Sequence, residues 1–99
     1  MTGNIGGLVG RNYNSSLLNC YSTGNVTGSD TVGGLAGYND GLYNYINYCY
    51  STGSVSGNNA TGGLVGYNYG YVLNSYWNTE TSGQGTSSGG AGRTTAEMT

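Results

Sequence analysis

Four carboxylates, two guanidinium groups and two thiols carry the obvious chemistry of this chain: Asp30, Asp40, Glu80 and Glu97; Arg11 and Arg93; Cys20 and Cys49. Sites that cleave polysaccharides need clustered carboxylates, often with calcium or a basic partner. Here the acids are scattered singly, and Asp30 and Asp40 read as surface turn residues. The chain has no histidine, so neither a Ser-His-Asp nor a Cys-His device can be assembled within it. The glycine cluster "GGLVGYN" at 62–68 lacks the lysine and following helix of a phosphate loop. The recurring aspartate of calcium-binding nonapeptide repeats is also missing. The expectation is a protein that is not an enzyme, with no cofactor and no metal site.

The remaining reactive or adhesive side chains recur instead of clustering. Cys20 and Cys49 each open a "CYSTG" pentad, 29 residues apart. Stacked strands would set their Cα atoms about 4.8 Å apart, within disulfide range. In-register parallel neighbours point their Cβ atoms the same way, however, which favours two small buried thiols in a ladder. Eleven tyrosines and no phenylalanine are the sharpest bias. Tyr38 and Tyr67 share one strip, Tyr21, Tyr50 and Tyr76 recur after the cysteine position, and Tyr43, Tyr45, Tyr48, Tyr69 and Tyr71 crowd a variable loop. Cross-strand stacking is one use for them. A contact surface at Tyr43, Tyr45, Tyr69 and Tyr71 for host-cell or matrix proteins or glycans is the other. Sequons at Asn14, Asn25 and Asn59 arise readily in so Asn-, Ser- and Thr-rich a chain.

The elements that hold these residues follow from an internal repeat. The chain has 99 residues, 6% of them charged, and a formal net charge of −2, which suits one domain. Two arginines cannot form the basic stripe of a nucleic-acid binder, and no apolar run reaches the roughly 20 residues of a membrane span. "GGLVGRN", "GGLAGYN" and "GGLVGYN" begin at Gly6, Gly33 and Gly62, spaced by 27 and 29 residues. The slack between the first glycine pair and the cysteine marks a loop that tolerates insertion. Repeats of this length indicate a solenoid. Glycine, β-branched residues and tyrosine without a 3.6-residue apolar period exclude helical repeats.

Each unit reads as three short strands: the glycine-rich opening, the stretch around the cysteine (17–22 and 46–51), and a brief "NVTG" or "SVSG". In the opening strand, alternation places Leu8, Leu35 and Leu64 inward as a ladder, and Val9, Ala36 and Val65 outward with Arg11, Tyr38 and Tyr67. Val26 and Val55 form another inward ladder. Asn12, Asn39 and Asn68 close the opening strand, where stacked asparagines can bond along the ladder.

These motifs, with the "NCYSTGNVTG" and "CYSTGSVSG" bodies, resemble the GLUG-motif repeats. The tail "SYWNTETSGQGTSSGGAGRTTAEM" is similar to the segment that follows the last repeat in such proteins. The resemblance implies a β-helical stalk or display module of a secreted or surface-attached protein, with no catalytic residues to carry over. The third unit departs from the pattern, with Ser75 for the cysteine and Trp77-Asn78 for "ST".

The expected fold is all-β: a short right-handed parallel β-helix of about three rungs, one repeat per rung. Repeats span about 5–31, 32–60 and 61–82, and 83–99 is a Gly/Ser/Thr-rich tail or C-terminal cap, with a capping box at Thr94–Glu97. The expected function is an extracellular or cell-surface structural and adhesive module of a larger protein. No nucleic acid or membrane insertion is expected. The alternative is a homo-oligomer that stacks end to end into an extracellular filament.

Overall fold

The computed structural model describes residues 4–41 and 45–98, as short strands and one helical turn. The first repeat supplies β1 (Asn4–Gly6), β2 (Val9–Tyr13), β3 (Ser16–Leu18), β4 (Tyr21–Ser22) and β5 (Val26–Thr27). The second repeats the series as β6 (Thr31–Gly33), β7 (Ala36–Asp40), β8 (Tyr45–Asn47), β9 (Tyr50–Ser51) and β10 (Val55–Ser56). The third has β11 (Thr61–Gly62), β12 (Val65–Asn68), β13 (Tyr71–Leu73) and β14 (Tyr76–Asn78), then α1 (Thr79–Ser82) and β15 (Ala91–Arg93).

Strands of equal rank pair across repeats, giving the sheets β1-β6-β11, β12-β7-β2, β13-β8-β3, β15-β14-β9-β4 and β10-β5. Every pairing is parallel. The molecule is therefore all-β, built of stacked parallel sheets, an arrangement consistent with a β-helix. Tyr13 pairs with Asp40, but Ser16 pairs with Tyr45. The extra length of the second repeat thus enters between these two pairings, in the stretch the spacing had marked as insertion-tolerant.

The strands are more finely cut than the sequence suggests. The opening stretch, expected as one strand, breaks into two at a corner on the second glycine and the leucine. There the amides of Leu8 and Val9 both donate to the Leu35 carbonyl, and those of Leu35 and Ala36 both donate to that of Leu64. The corner resets the alternation, so Ala36 and Val65 are fully buried, not outward as expected, and Val9 is half-buried. The cysteine stretch also breaks in two, at Asn19, Tyr48 and Asn74, which all adopt positive φ (54°, 56° and 46°). Asparagine tolerates this left-handed conformation, whereas tyrosine is strained in it.

Side chains of both halves of each corner fill the interior. Leu35, Ala36, Ile46, Cys49, Leu64, Val65 and Trp77 form the main core, and Val26, Val32 and Val55 form a second cluster. The glycine pairs keep the corners narrow. A Cβ on Gly33 would overlap the Ala36 carbonyl, and one on Gly63 would overlap the Trp77 indole.

The third repeat closes differently. Asn78 caps α1 by accepting from the amides of Glu80 and Thr81, and Gly83 ends it at φ 74°. The turn stands where β5 and β10 run in the earlier repeats. Its Thr81 hydroxyl donates to the Thr52 carbonyl, and Gln84 Nε2 donates to that of Val55 at 2.7 Å. Residues 86–93 then cross the outer edge of the third repeat. Gly63 N donates to Thr86 O, Leu64 N and Val65 N donate to Ser87 Oγ, and β15 pairs with β14. The box expected at Thr94–Glu97 forms both of its bonds, but around a turn and not a helix.

Candidate contact surface

Parallel in-register pairing puts identical positions of adjacent repeats over one another, so a tyrosine on an outward position becomes a row of rings. Tyr21 and Tyr50 pair across β4 and β9 and stack at 5.3 Å, 9° from parallel. Tyr38 and Tyr67 pair across β7 and β12 and stack at 5.2 Å. Tyr45 and Tyr71 pair across β8 and β13 and stack at 5.2 Å. Each stack adds about 0.5–1.5 kcal/mol beyond burial, and each contains at least one exposed tyrosine.

The rows are finished by charged groups. At one end of the Tyr38–Tyr67 row, Arg11 lies over the rings of Tyr13 (4.6 Å) and Tyr38 (5.7 Å). Its Nε and Nη2 donate to the two carboxylate oxygens of Asp40 at 2.9 and 2.7 Å. This fork holds the Asp40 carboxyl below its ordinary pKa, as a bidentate guanidinium should. At the other end the Tyr67 and Tyr69 hydroxyls are 2.8 Å apart, and this bond raises the Tyr67 pKa.

Arg93 ends the row of Tyr21, Tyr50 and Tyr76 on β4, β9 and β14, 4.8 Å over the Tyr76 ring. Its Nη1 also donates to the Gly92 carbonyl, and the residue is exposed. Tyr50, Thr52, Tyr76, Arg93, Glu97 and Met98 line an open groove of about 500 Å³ there. Alternating tyrosine faces, a guanidinium and a carboxylate suit hydroxyl-rich or mixed-charge ligands. Glu97 is engaged through Oε1 by the Thr94 amide.

Of the residues singled out from sequence, Tyr45, Tyr69 and Tyr71 are exposed. Tyr45 and Tyr71 meet in one row, while Tyr69 joins the neighbouring row through Tyr38 and Tyr67. Tyr43 lies outside the described residues. Sequence reasoning left Tyr50, Tyr76 and Arg93 out of the surface. The recurrence of tyrosine after the cysteine was visible, but the return of residues 91–93 to that sheet was not. Leu35 and Leu64 are buried, whereas Leu8, expected in the same inward ladder, is 45% exposed because nothing stacks beyond it among the described residues.

Asn12, Asn39 and Asn68 form a bonded ladder. Asn12 Nδ2 donates to Asn39 Oδ1 and Asn39 Nδ2 donates to Asn68 Oδ1, both at 2.8 Å. Asn12 and Asn39 are buried inside their strands, one residue before the ends, and do not close them as expected.

Cys20 and Cys49 are free thiols, and burial pushes the Cys49 thiol up. Each turns back to the carbonyl two residues earlier, Leu18 for Cys20 and Asn47 for Cys49, and Ser75 does the same to Leu73. The position thus ties the left-handed corner, which explains why serine can replace cysteine there. Among the described residues no three acidic or thiol side chains gather as a metal cluster.

No curated protein and no solved structure matches the sequence. The family model of the GLUG motif, a repeat found in larger proteins, matches residues 1–27. The matched segment contains the corner at Gly7-Leu8, Asn12 and Cys20, the features that recur in register in the second repeat, and this chain therefore carries the GLUG motif.

Proposed function

We propose that the chain is a non-catalytic structural and adhesive module of a larger, extracellular cell-surface protein. Its parallel sheets are read as a short right-handed β-helix of about three rungs, one repeat per rung. The coil displays tyrosine rows to glycans or protein partners of a host cell or matrix. The observation that carries this reading is the set of three stacked tyrosine pairs on the outer faces of three sheets. Exposed aromatic rows offer large, rigid contact area with hydroxyls at the rim. Sheet stability alone would be served as well by threonine or valine on solvent faces.

The test is binding of the full chain to immobilised oligosaccharides and matrix proteins. A triple variant Tyr45→Ser, Tyr69→Ser, Tyr71→Ser should lose at least tenfold in bound signal while retaining its cooperative melt. A second triple, Tyr50→Ser, Tyr76→Ser and Arg93→Ser, asks the same of the groove. Absence of binding by the parent chain, or undiminished binding by both variants, overturns the reading. End-to-end filament growth needs two open ends, and the bonds made by residues 86–93 across the third repeat weigh against it.

A further inference from the structure

Three pairs of tyrosines lie nearly flat on one another, at 5.2–5.3 Å and 9–20° from parallel. Tyr67 and Tyr69 break that pattern. Their ring centres are 4.9 Å apart, their planes meet at 54°, and their hydroxyls are 2.8 Å apart. Tyr-x-Tyr spacing does not by itself produce this contact. It occurs at 43–45, 48–50, 67–69 and 69–71. Among the described residues, only the 67–69 pair has its two rings in contact and its hydroxyls bonded.

The backbone holds both rings in place. Tyr67 lies in β12, in register with Tyr38 of β7, and the Tyr69 amide donates to the Asn39 carbonyl at 2.7 Å. Between them, Asn68 Oδ1 accepts from Asn39 Nδ2 and from the Gly70 amide. Residues two apart in an extended chain project to one face, so the two phenols stand side by side. The equivalent positions are Arg11 and Tyr13 in the first repeat and Tyr38 and Asp40 in the second. Only the third repeat puts a phenol at both. Tyr67 is 38% exposed and Tyr69 66%, so a soluble oxidant reaches them.

We infer that Tyr67 and Tyr69 form an oxidative cross-linking site, joined within one chain as dityrosine by a haem peroxidase with hydrogen peroxide. Each phenol gives up one electron and its hydroxyl proton, leaving a phenoxyl radical with spin on the ring carbons beside the oxygen. The two radicals pair to form one bond, between a Cε of Tyr67 and a Cε of Tyr69. Each of these carbons then passes its hydrogen, as a proton, to the oxygen of its own ring, and both phenols are restored. The two electrons and two protons removed reduce hydrogen peroxide to two molecules of water. In the product the two hydroxyls flank the new bond and face one another, as the bonded hydroxyls of Tyr67 and Tyr69 already do. The flat pairs would first have to tilt and slide. The link closes the chain around Asn68, and the inference does not depend on the tyrosine rows binding a ligand.

The test exposes the full chain, in dilute solution, to a haem peroxidase and hydrogen peroxide. The monomer should lose the mass of two hydrogen atoms and gain dityrosine fluorescence, and peptide fragmentation should place most of the link between Tyr67 and Tyr69. Tyr69→Phe keeps the ring but removes the hydroxyl that yields the radical, and should cut the monomer's dityrosine at least tenfold. Tyr48→Phe should leave it unchanged, although Tyr48 is 61% exposed. Dityrosine confined to dimers, a link shared equally with 48–50 or 69–71, no dityrosine at all, or an undiminished yield from Tyr69→Phe each overturns the inference.

Discussion

The first and second repeats are nearly the same text in two settings. Leu35, Val32 and Asn39 are fully buried, because repeats lie on both sides of them. Their first-repeat counterparts Leu8 and Ile5 are exposed or half-covered, and Asn12 Oδ1 accepts no hydrogen bond among the described residues. Burial in a stack is thus a property of having two neighbours, not of residue type. Repeat proteins draw much of their stability from such nearest-neighbour interfaces.

The comparison can be broken most directly at the leucine corner. Leu35→Ala should cost about 2–5 kcal/mol, the range for a buried leucine with little room to collapse. Leu8→Ala should cost less than about 1 kcal/mol by the same area argument. Urea titration of the two variants measures both, and equal losses would mean that the first repeat is as well enclosed as the second.

Glycine offers a sharper contrast. A Cβ at Gly53 would overlap the Gly24 carbonyl of the repeat before, whereas one at Gly24 meets nothing within 4 Å. Gly53→Ala should destabilise by about 1–3 kcal/mol through overpacking, and Gly24→Ala should stay within about 0.5 kcal/mol. Thermal melts of both decide whether contact with the preceding repeat, and not backbone freedom, holds glycine at this position.

Tyr48 reverses the advantage of the second repeat. It adopts the left-handed corner that Asn19 and Asn74 occupy in the flanking repeats. Tyr48→Asn should stabilise by about 1 kcal/mol, the cost of that conformation for an ordinary residue. An unchanged melting temperature would show the corner to be relaxed by other means.

The smallest effect concerns the fork that ties the repeats together outside. Because Asp40 is held below its ordinary pKa of 3.8 by Arg11, its contribution is present above that value. It is lost as pH falls through the lowered one. Asp40→Asn should flatten the acid limb of the melting profile slightly without removing it. Glu80, held low by the Thr95 amide, titrates in the same direction. A profile unaltered by Asp40→Asn would show that the exposed fork adds nothing to the tie.

Much of the architecture was legible because a period writes itself three times. The spacing of Gly6, Gly33 and Gly62, and of Cys20 and Cys49, implied in-register stacking, and the pairings of Gly6 with Gly33 and of Tyr21 with Tyr50 have that register. The corner inside "GGLVG" was not legible. Strand alternation assumes an unbroken strand, and a residue such as Val65 looks the same on either side of a bend. The tyrosine surface was half legible: recurrence marked the rows, but nothing local said that Arg93 would return over Tyr76.

By itself, then, the sequence determined the repeat, its β character, its loop of variable length and its lack of histidine-based chemistry. These depend on composition and spacing, which stacking does not alter. Only the tertiary structure decided which copy of each residue is buried, which way the asparagine ladder runs, and that residues 86–93 return across the third repeat. Those properties belong to neighbours in space. Leu8 and Leu35 differ in nothing but what lies beyond them.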